Sequence, residues 1–163
     1  MESLAAQVGK SLQAYGYMLA TAESCTGGGV ARVITDVAGS SAWFERGFIT
    51  YSNRSKHEVL GVTENTLERF GAVSENCVRE MVAGVLRQSP AQFALAVSGI
   101  AGPGGGTVEK PVGTVWFAWG IKEGSCVARL HYLAGNRAEI RAQAVNIALT
   151  GVLELLNIST EYA

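Results

Sequence analysis

Thr21-Ala22-Glu23-Ser24-Cys25-Thr26-Gly27-Gly28-Gly29 decides the fold. Upstream, Tyr17-Met18-Leu19-Ala20 reads as a short buried strand. Downstream, Val30, Val33, Ile34 and Val37 recur at helical spacing. The polar-then-glycine run therefore marks a strand-to-helix junction. A helix start offers unpaired backbone N–H groups and a partial positive charge. Glycines remove the side chains that would keep a ligand off that backbone. Ser24 then stands as a hydroxyl at the mouth of an anion-friendly turn. The alternative is a capped helix start with a flexible loop.

Working outward, Leu4, Val8, Leu12 and Tyr15 share one helical stripe that Gly16 stops. Gly39-Ser40-Ser41 breaks the second helix, and Ala42–Phe44 reads as a short helical turn. Phe48-Ile49-Thr50-Tyr51 predicts a strand. Ser52-Asn53 is a helix cap, with Lys56, Val59 and Leu60 in a short helix ended by Gly61. Glu64 to Phe70 gives a second short helix. Ser74 caps a longer one carrying Val78, Met81, Val82, Val85 and Leu86 on one face. Phe93 to Val97 is an apolar run of strand length, covered on both faces. Val112–Ile121 and Cys126–Leu133 flank the turn Lys122-Glu123-Gly124-Ser125 and predict an antiparallel hairpin. A final helix follows Asn136, with Ile140, Ala144, Ile147, Ala148, Val152 and Leu155 on its inner face.

The order α-β-α-β-α-α-α-β-β-β-α predicts an α/β chain. Its fold is a three-layer α/β/α sandwich on a mixed, mostly parallel sheet with one antiparallel hairpin. Residues 1–163 read as a single domain. Hydrophobic content of 48%, charged content of 17% and a formal charge of −1 describe a globular chain without a nucleic-acid footprint. The three cysteines, Cys25, Cys77 and Cys126, form neither a disulfide framework nor a metal motif, which fits a reducing cytoplasm. Glu2 and the amphipathic start do not read as a signal peptide, and no apolar run reaches membrane-spanning length. Trp43, Trp116 and Trp119 suit either the core or a subunit interface.

In open α/β sheets ligands bind beyond the carboxyl ends of parallel strands. Two glycine-rich loops lie at such ends: the one after Ser24, and Ser98-Gly99-Ile100-Ala101-Gly102-Pro103-Gly104-Gly105-Gly106. Their convergence on one cleft is the expectation. With only His57 and His131 available and no G-x-S-x-G elbow, a Ser-His-Asp triad is weakly supported. A serine is also activated by a lysine held neutral through burial. Lys56 is the candidate, against its reading as a solvated helix lysine, and Tyr51 is placed to orient or relay a proton. Cys25 and Ser98 are the other nucleophile candidates. Gly102, Gly105, Gly106 and Thr107 resemble an anion cradle but match neither the Walker A nor the dinucleotide fingerprint. Arg137 and Arg141, one turn apart, suit a phosphate clamp. Glu23 is placed to accept hydrogen bonds from a sugar or to hold Lys56. Thr26, Gly27 and Gly28 supply the turn. No metal-ligand spacing occurs.

Five motifs together resemble the CinA C-terminal domain family: Ala22-Glu23-Ser24-Cys25-Thr26-Gly27-Gly28, Thr50-Tyr51-Ser52-Asn53 with Lys56, Gly71-Ala72-Val73-Ser74, Ser98-Gly99-Ile100-Ala101-Gly102-Pro103 and Glu109-Lys110-Pro111-Val112-Gly113-Thr114. They run in order over nearly the whole chain, and the chain looks like the stand-alone members, the nicotinamide-nucleotide amidases. The resemblance implies hydrolysis of nicotinamide mononucleotide to nicotinate mononucleotide and ammonia, in pyridine-nucleotide recycling. It also implies a homo-oligomer and no metal or organic cofactor. It carries the roles of serine nucleophile, lysine and tyrosine onto Ser24, Lys56 and Tyr51. Gly29 and His57 depart from the family pattern. That departure leaves as an alternative a paralogue that binds nucleotide without turnover.

Overall fold

The computed structural model describes residues 1–161, with side chains through Asn157. The last two residues of the expected domain, 162 and 163, lie outside the described residues. The helices are α1 Leu4–Tyr15, α2 Gly29–Thr35, α3 Asn53–Leu60, α4 Glu64–Arg69, α5 Glu75–Gln88 and α6 Arg137–Glu161. The strands are β1 Leu19–Glu23, β2 Phe44–Ile49, β3 Phe93–Gly99, β4 Thr114–Ile121 and β5 Cys126–Tyr132. A single 3-10 turn at Ser40–Ala42 precedes β2.

The strands form one sheet in the order β2-β1-β3-β4-β5. β1 runs parallel to both neighbours, with Glu23 opposite Ile49 on one side and Val97 on the other. β4 and β5 run antiparallel and close the far edge. The chain leaves β1 for β2 on one side and returns past β1 to β3 on the other. The crevice beyond the carboxyl ends of β1 and β3 is therefore the switch point of the sheet.

The strand period of two sends alternate side chains to two cores. Leu19, Phe93, Leu95, Val97 and Phe117 pack under α1, α2 and α6. Ala20, Ala22, Ala94, Ala96 and Ala118 are small because α3 and α5 press close on the opposite face. Close approach is explicit at Gly84 of α5, where an added Cβ would stand 2.1 Å from the Leu60 carbonyl oxygen of α3. This contact seats α3, which carries Lys56. Trp43 and Trp119 are buried core residues, and Trp119 Nε1 donates to the Ala148 carbonyl at 2.9 Å. Trp116 is half-buried.

Two strands lie off their expected positions. β1 extends through Glu23 rather than ending at Ala20, because all five of its residues are buried between two neighbours. Polarity therefore does not mark its end. β2 starts at Phe44, four residues before the expected Phe48, and stops at Ile49, two before the expected Tyr51. As an edge strand it exposes Arg46 and Gly47, so its pairing with β1 outweighs side-chain polarity.

Candidate active site

Residues 24–28 make the turn between β1 and α2. Ser24 N–H donates to the Val97 carbonyl at 3.0 Å, fastening the turn to the end of β3. Gly27 N–H closes back on the Ser24 carbonyl at 3.0 Å and Gly29 N–H on that of Thr26 at 2.9 Å. Gly27 (φ 57°) and Gly28 (φ 98°) adopt the left-handed conformation the turn needs.

Glu23 supports the turn from below. Its carboxylate is buried and accepts from Thr26 Oγ1 (2.6 Å), Val30 N–H (2.9 Å) and Ala31 N–H (3.1 Å). Negative charge at the start of a helix satisfies its free donors. Two expectations are corrected here. Glu23 does not face a ligand sugar or hold Lys56, since in-strand burial turns its carboxylate onto the chain. The first N–H groups of α2 are not open to an anion, since Glu23 occupies them. Thr26 is likewise buried, its hydroxyl spent on Glu23.

Lys56 reaches the turn from the opposite layer. Ser52 caps α3 by accepting from Ser55 N–H at 3.0 Å, and Lys56 and Leu60 form the buried side of that helix. Lys56 is 1% exposed. Its Nζ lies 3.0 Å from Ser24 Oγ, 2.8 Å from the Thr50 carbonyl oxygen and 3.0 Å from that of Tyr51. Among the described residues no carboxylate pairs with it. Burial pushes its pKa below the ordinary 10.5, against a smaller opposing influence of the nearby Cys77 and Cys25 thiols. The two carbonyls only accept hydrogen bonds. A neutral amine donates to both and keeps its lone pair for the Ser24 hydroxyl proton. A protonated amine would donate to all three oxygens, so it is the burial of Lys56, not the hydrogen-bond count, that favours the neutral form.

The other candidates divide. Tyr51 contributes its carbonyl to Lys56. Its residue is 61% exposed, and its hydroxyl accepts from Arg137 Nη2 at 3.3 Å. The phenol therefore contacts Arg137 and not the Ser24–Lys56 pair. Arg137, the first residue of α6, also donates from Nη1 to the Gly102 carbonyl at 2.8 Å. Ser24, Cys25, Tyr51, Lys56, Ser98 and Arg137 line one cleft of about 250 Å³. The loops after β1 and β3 thus do meet at one site. Ser98 is buried in the wall of this cleft.

Gly105, Gly106 and Thr107 do not line this cleft. Their loop folds on itself, with Thr107 N–H donating to the Lys110 carbonyl at 2.9 Å and Lys110 N–H to Thr107 Oγ1 at 3.0 Å. The cradle expected there is not formed, and Gly102 keeps only its carbonyl contact to Arg137. Arg141 is not the second arm of a clamp. It lies behind the turn, with Nε donating to the Cys25 carbonyl at 3.0 Å and Nη2 to that of Thr26 at 3.3 Å.

Asn53, Ala72 and Val73 also line the cleft and were not foreseen. The Gly71-Ala72-Val73-Ser74 motif was visible, but nothing in its residue types indicated a cleft wall. Burial raises the Cys25 thiol to about 11, so it is protonated near neutrality and a poor nucleophile. His57 Nδ1 pairs with the Val62 carbonyl at 2.8 Å, and His131 packs edge-on against Phe117. Among the described residues no three His, Cys, Asp or Glu side chains converge as a metal site, and no helix is long and apolar enough to cross a membrane.

Residues 1–156 match the family model of the CinA C-terminal domain. The chain is 52% identical over 153 residues to the nicotinamide-nucleotide amidohydrolase PncC of Enterobacter agglomerans, covering 94% of this chain and 93% of that protein. It is 56% identical over 146 residues to the protein of the same name from Escherichia coli K12, covering 90% and 88%. The crystal structure of a CinA superfamily protein from Klebsiella pneumoniae 700603 superposes with a TM-score of 0.91 at 41% identity, covering 94% of this chain and 96% of that one. A competence/damage-inducible protein from Agrobacterium tumefaciens superposes at 0.90 with 46% identity, covering 94% and 93%. With the family model spanning nearly the whole chain and relatives above half identity, the chain belongs to the CinA C-terminal domain family.

Proposed function

We propose that this chain is an amidohydrolase that cleaves the carboxamide of nicotinamide mononucleotide to nicotinate mononucleotide and ammonia, with Ser24 as nucleophile and Lys56 as base. The names of its relatives support the substrate. The observation that carries the mechanism is the buried Lys56 amine 3.0 Å from Ser24 Oγ, held by two carbonyls and no carboxylate. Residues 1–163 act as one catalytic domain in this reading.

Neutral Lys56 takes the Ser24 proton as Oγ attacks the carboxamide carbon. N–H groups of the glycine turn stabilise the oxyanion. The Lys56 ammonium gives its proton to the amide nitrogen, the C–N bond breaks and ammonia leaves. Water, deprotonated by Lys56, then attacks the Ser24 ester. Ser24 Oγ departs with the proton that Lys56 holds, and the carboxylic acid formed loses its proton to solvent and leaves as a carboxylate. Proton return runs through Lys56 because the Tyr51 hydroxyl is engaged with Arg137. Ser98 and the Tyr51–Arg137 pair hold the substrate from the cleft walls, with Arg137 the cation for its phosphate.

Ammonia release from nicotinamide mononucleotide tests this. Ser24→Ala is expected to abolish turnover while leaving the fold and the affinity for nicotinate mononucleotide intact. Turnover by Ser24→Ala at the unmodified protein's rate would refute it.

A further inference from the structure

The mechanism uses the N–H groups of the turn but not the side chain that orients them. Between residues 24 and 31 most N–H groups are already committed. Ser24 donates to Val97, Gly27 to Ser24, Gly29 to Thr26, and Val30 and Ala31 to Glu23. Among the described residues, the N–H groups of Thr26 and Gly28 donate to no other residue, and that of Cys25 bonds its own thiol. Cys25 and Thr26 directly follow the nucleophile.

We propose that Arg141 is a positioning residue for the oxyanion hole: it grips the turn's carbonyls from behind, turning the Thr26 N–H away from α6 and fixing the peptide whose Gly27 N–H holds the Ser24 carbonyl. The inference rests on the reading of Ser24 as an acylated nucleophile. A trans peptide places its C=O and N–H on opposite edges. Arg141 Nε holds the Cys25 carbonyl at 3.0 Å on the α6 side, so the N–H of the same peptide, that of Thr26, turns away from α6. The Gly27 N–H holds the Ser24 carbonyl in the same manner and sets the Cys25 N–H on the opposite edge. Arg141 Nη2, on the Thr26 carbonyl at 3.3 Å, fixes the next peptide.

The turn needs such a restraint. Gly27 and Gly28 leave it conformationally permissive. A flip of the 25–26 peptide would present a carbonyl oxygen, instead of an N–H, to the developing oxyanion. One guanidinium reaches two adjacent carbonyls because its donors form a planar fork. Gly27 permits the approach, since an added Cβ there would stand 3.3 Å from Arg141 Nη2. Arg137 and Arg141 thus bracket the turn, the first facing the cleft and the second its back.

The test compares Arg141→Lys and Arg141→Met with the unmodified protein. A displaced oxyanion donor costs about tenfold to a hundredfold in rate. The expected result is that loss in kcat for Arg141→Met, a smaller loss for Arg141→Lys, and KM within about threefold. A second readout separates positioning from fold maintenance. The 3-carboxaldehyde analogue of the substrate adds to Ser24 as a hemiacetal and needs the hole, whereas nicotinate mononucleotide does not. Aldehyde affinity is expected to fall by the factor lost in kcat/KM, with nicotinate mononucleotide affinity unchanged. If Arg141→Met does not fold, Arg141→Lys carries the comparison. Full kcat in the folded variants, or equal loss of both affinities, overturns the role of Arg141. Absence of ammonia release by the unmodified protein would instead overturn the amidase reading.

Discussion

Replacing Lys56 with arginine keeps a cation and hydrogen-bond donors beside Ser24 but removes the base, because a guanidinium does not lose its proton in proteins. Replacing it with methionine removes both. A positioned general base contributes about 10² to 10⁴ in rate. Lys56 is the one base within reach of Ser24 Oγ among the described residues, at 3.0 Å, so both variants are expected at the top of that range. That is a loss of about 10⁴ in kcat/KM, or about 5 kcal/mol of transition-state stabilisation. In the unmodified protein kcat/KM is expected to fall as pH drops through the folded pKa of Lys56, which lies below 10.5, since a protonated amine cannot take the serine proton. Stability carries the same signature. Between that folded pKa and 10.5 the unfolded chain binds a proton that the native chain does not, so this contribution shrinks as pH falls and is constant below the window. The Lys56→Met variant lacks it. The unfolding free energy of the unmodified protein relative to Lys56→Met is therefore expected to climb with pH until about 10.5. Ammonia-release kinetics and urea unfolding, each run from about pH 6 to pH 10, check both parts. Retention by Lys56→Arg of more than about a tenth of the activity would refute the reasoning, and so would a flat pH profile of kcat/KM.

Two further outcomes follow from the turn. Glu23→Gln puts an amide where three donors converge on a carboxylate, so it is expected to destabilise the fold by about 3 kcal/mol in urea unfolding and to lower kcat as the turn shifts. A change below about 0.5 kcal/mol would show that Glu23 does not hold the turn. Cys25→Ala is expected to cost less than about tenfold in kcat/KM, because a thiol raised to about 11 is protonated near neutrality. Loss on the scale of Ser24→Ala would make the thiol the nucleophile.

The layered architecture was legible because its periodicities were strong. The five-residue apolar run at Phe93 and the turn before Cys126 each admit few alternatives, and both strands start where the pattern places them, though β3 runs on through Ser98 and Gly99. Edge strand β2 was misplaced because backbone pairing with β1, which the sequence does not display, selects Phe44–Ile49 over the more apolar Phe48–Tyr51. The site residues followed a similar division. Ser24 stood at a recognisable junction. The burial of Glu23 was hidden, since a carboxylate next to a nucleophile reads as functional until β1 is known to continue through it. The two arginines of α6 look equivalent at a spacing of one turn. In space one faces the cleft and the other the back of the turn, because the loop passes between them.

Lys56 shows most clearly why the site is a property of packing. By position alone it is an ordinary helix lysine, and its flanking residues Arg54, His57 and Glu58 are solvent-facing or at the surface. Its burial depends on α3 lying flat against α5, which depends on Gly84 leaving room for the Leu60 backbone, twenty-four residues earlier in the chain. Its lack of a carboxylate partner depends on Glu23 being committed to α2. Neither condition is local, yet both are needed for an uncharged amine to stand beside Ser24. A salt bridge at Lys56 would raise its pKa and leave it a cation. The same sheet thus supplies a carboxylate that holds the turn on one face and, on the other, a pocket without one, in which the proposed base stands beside Ser24.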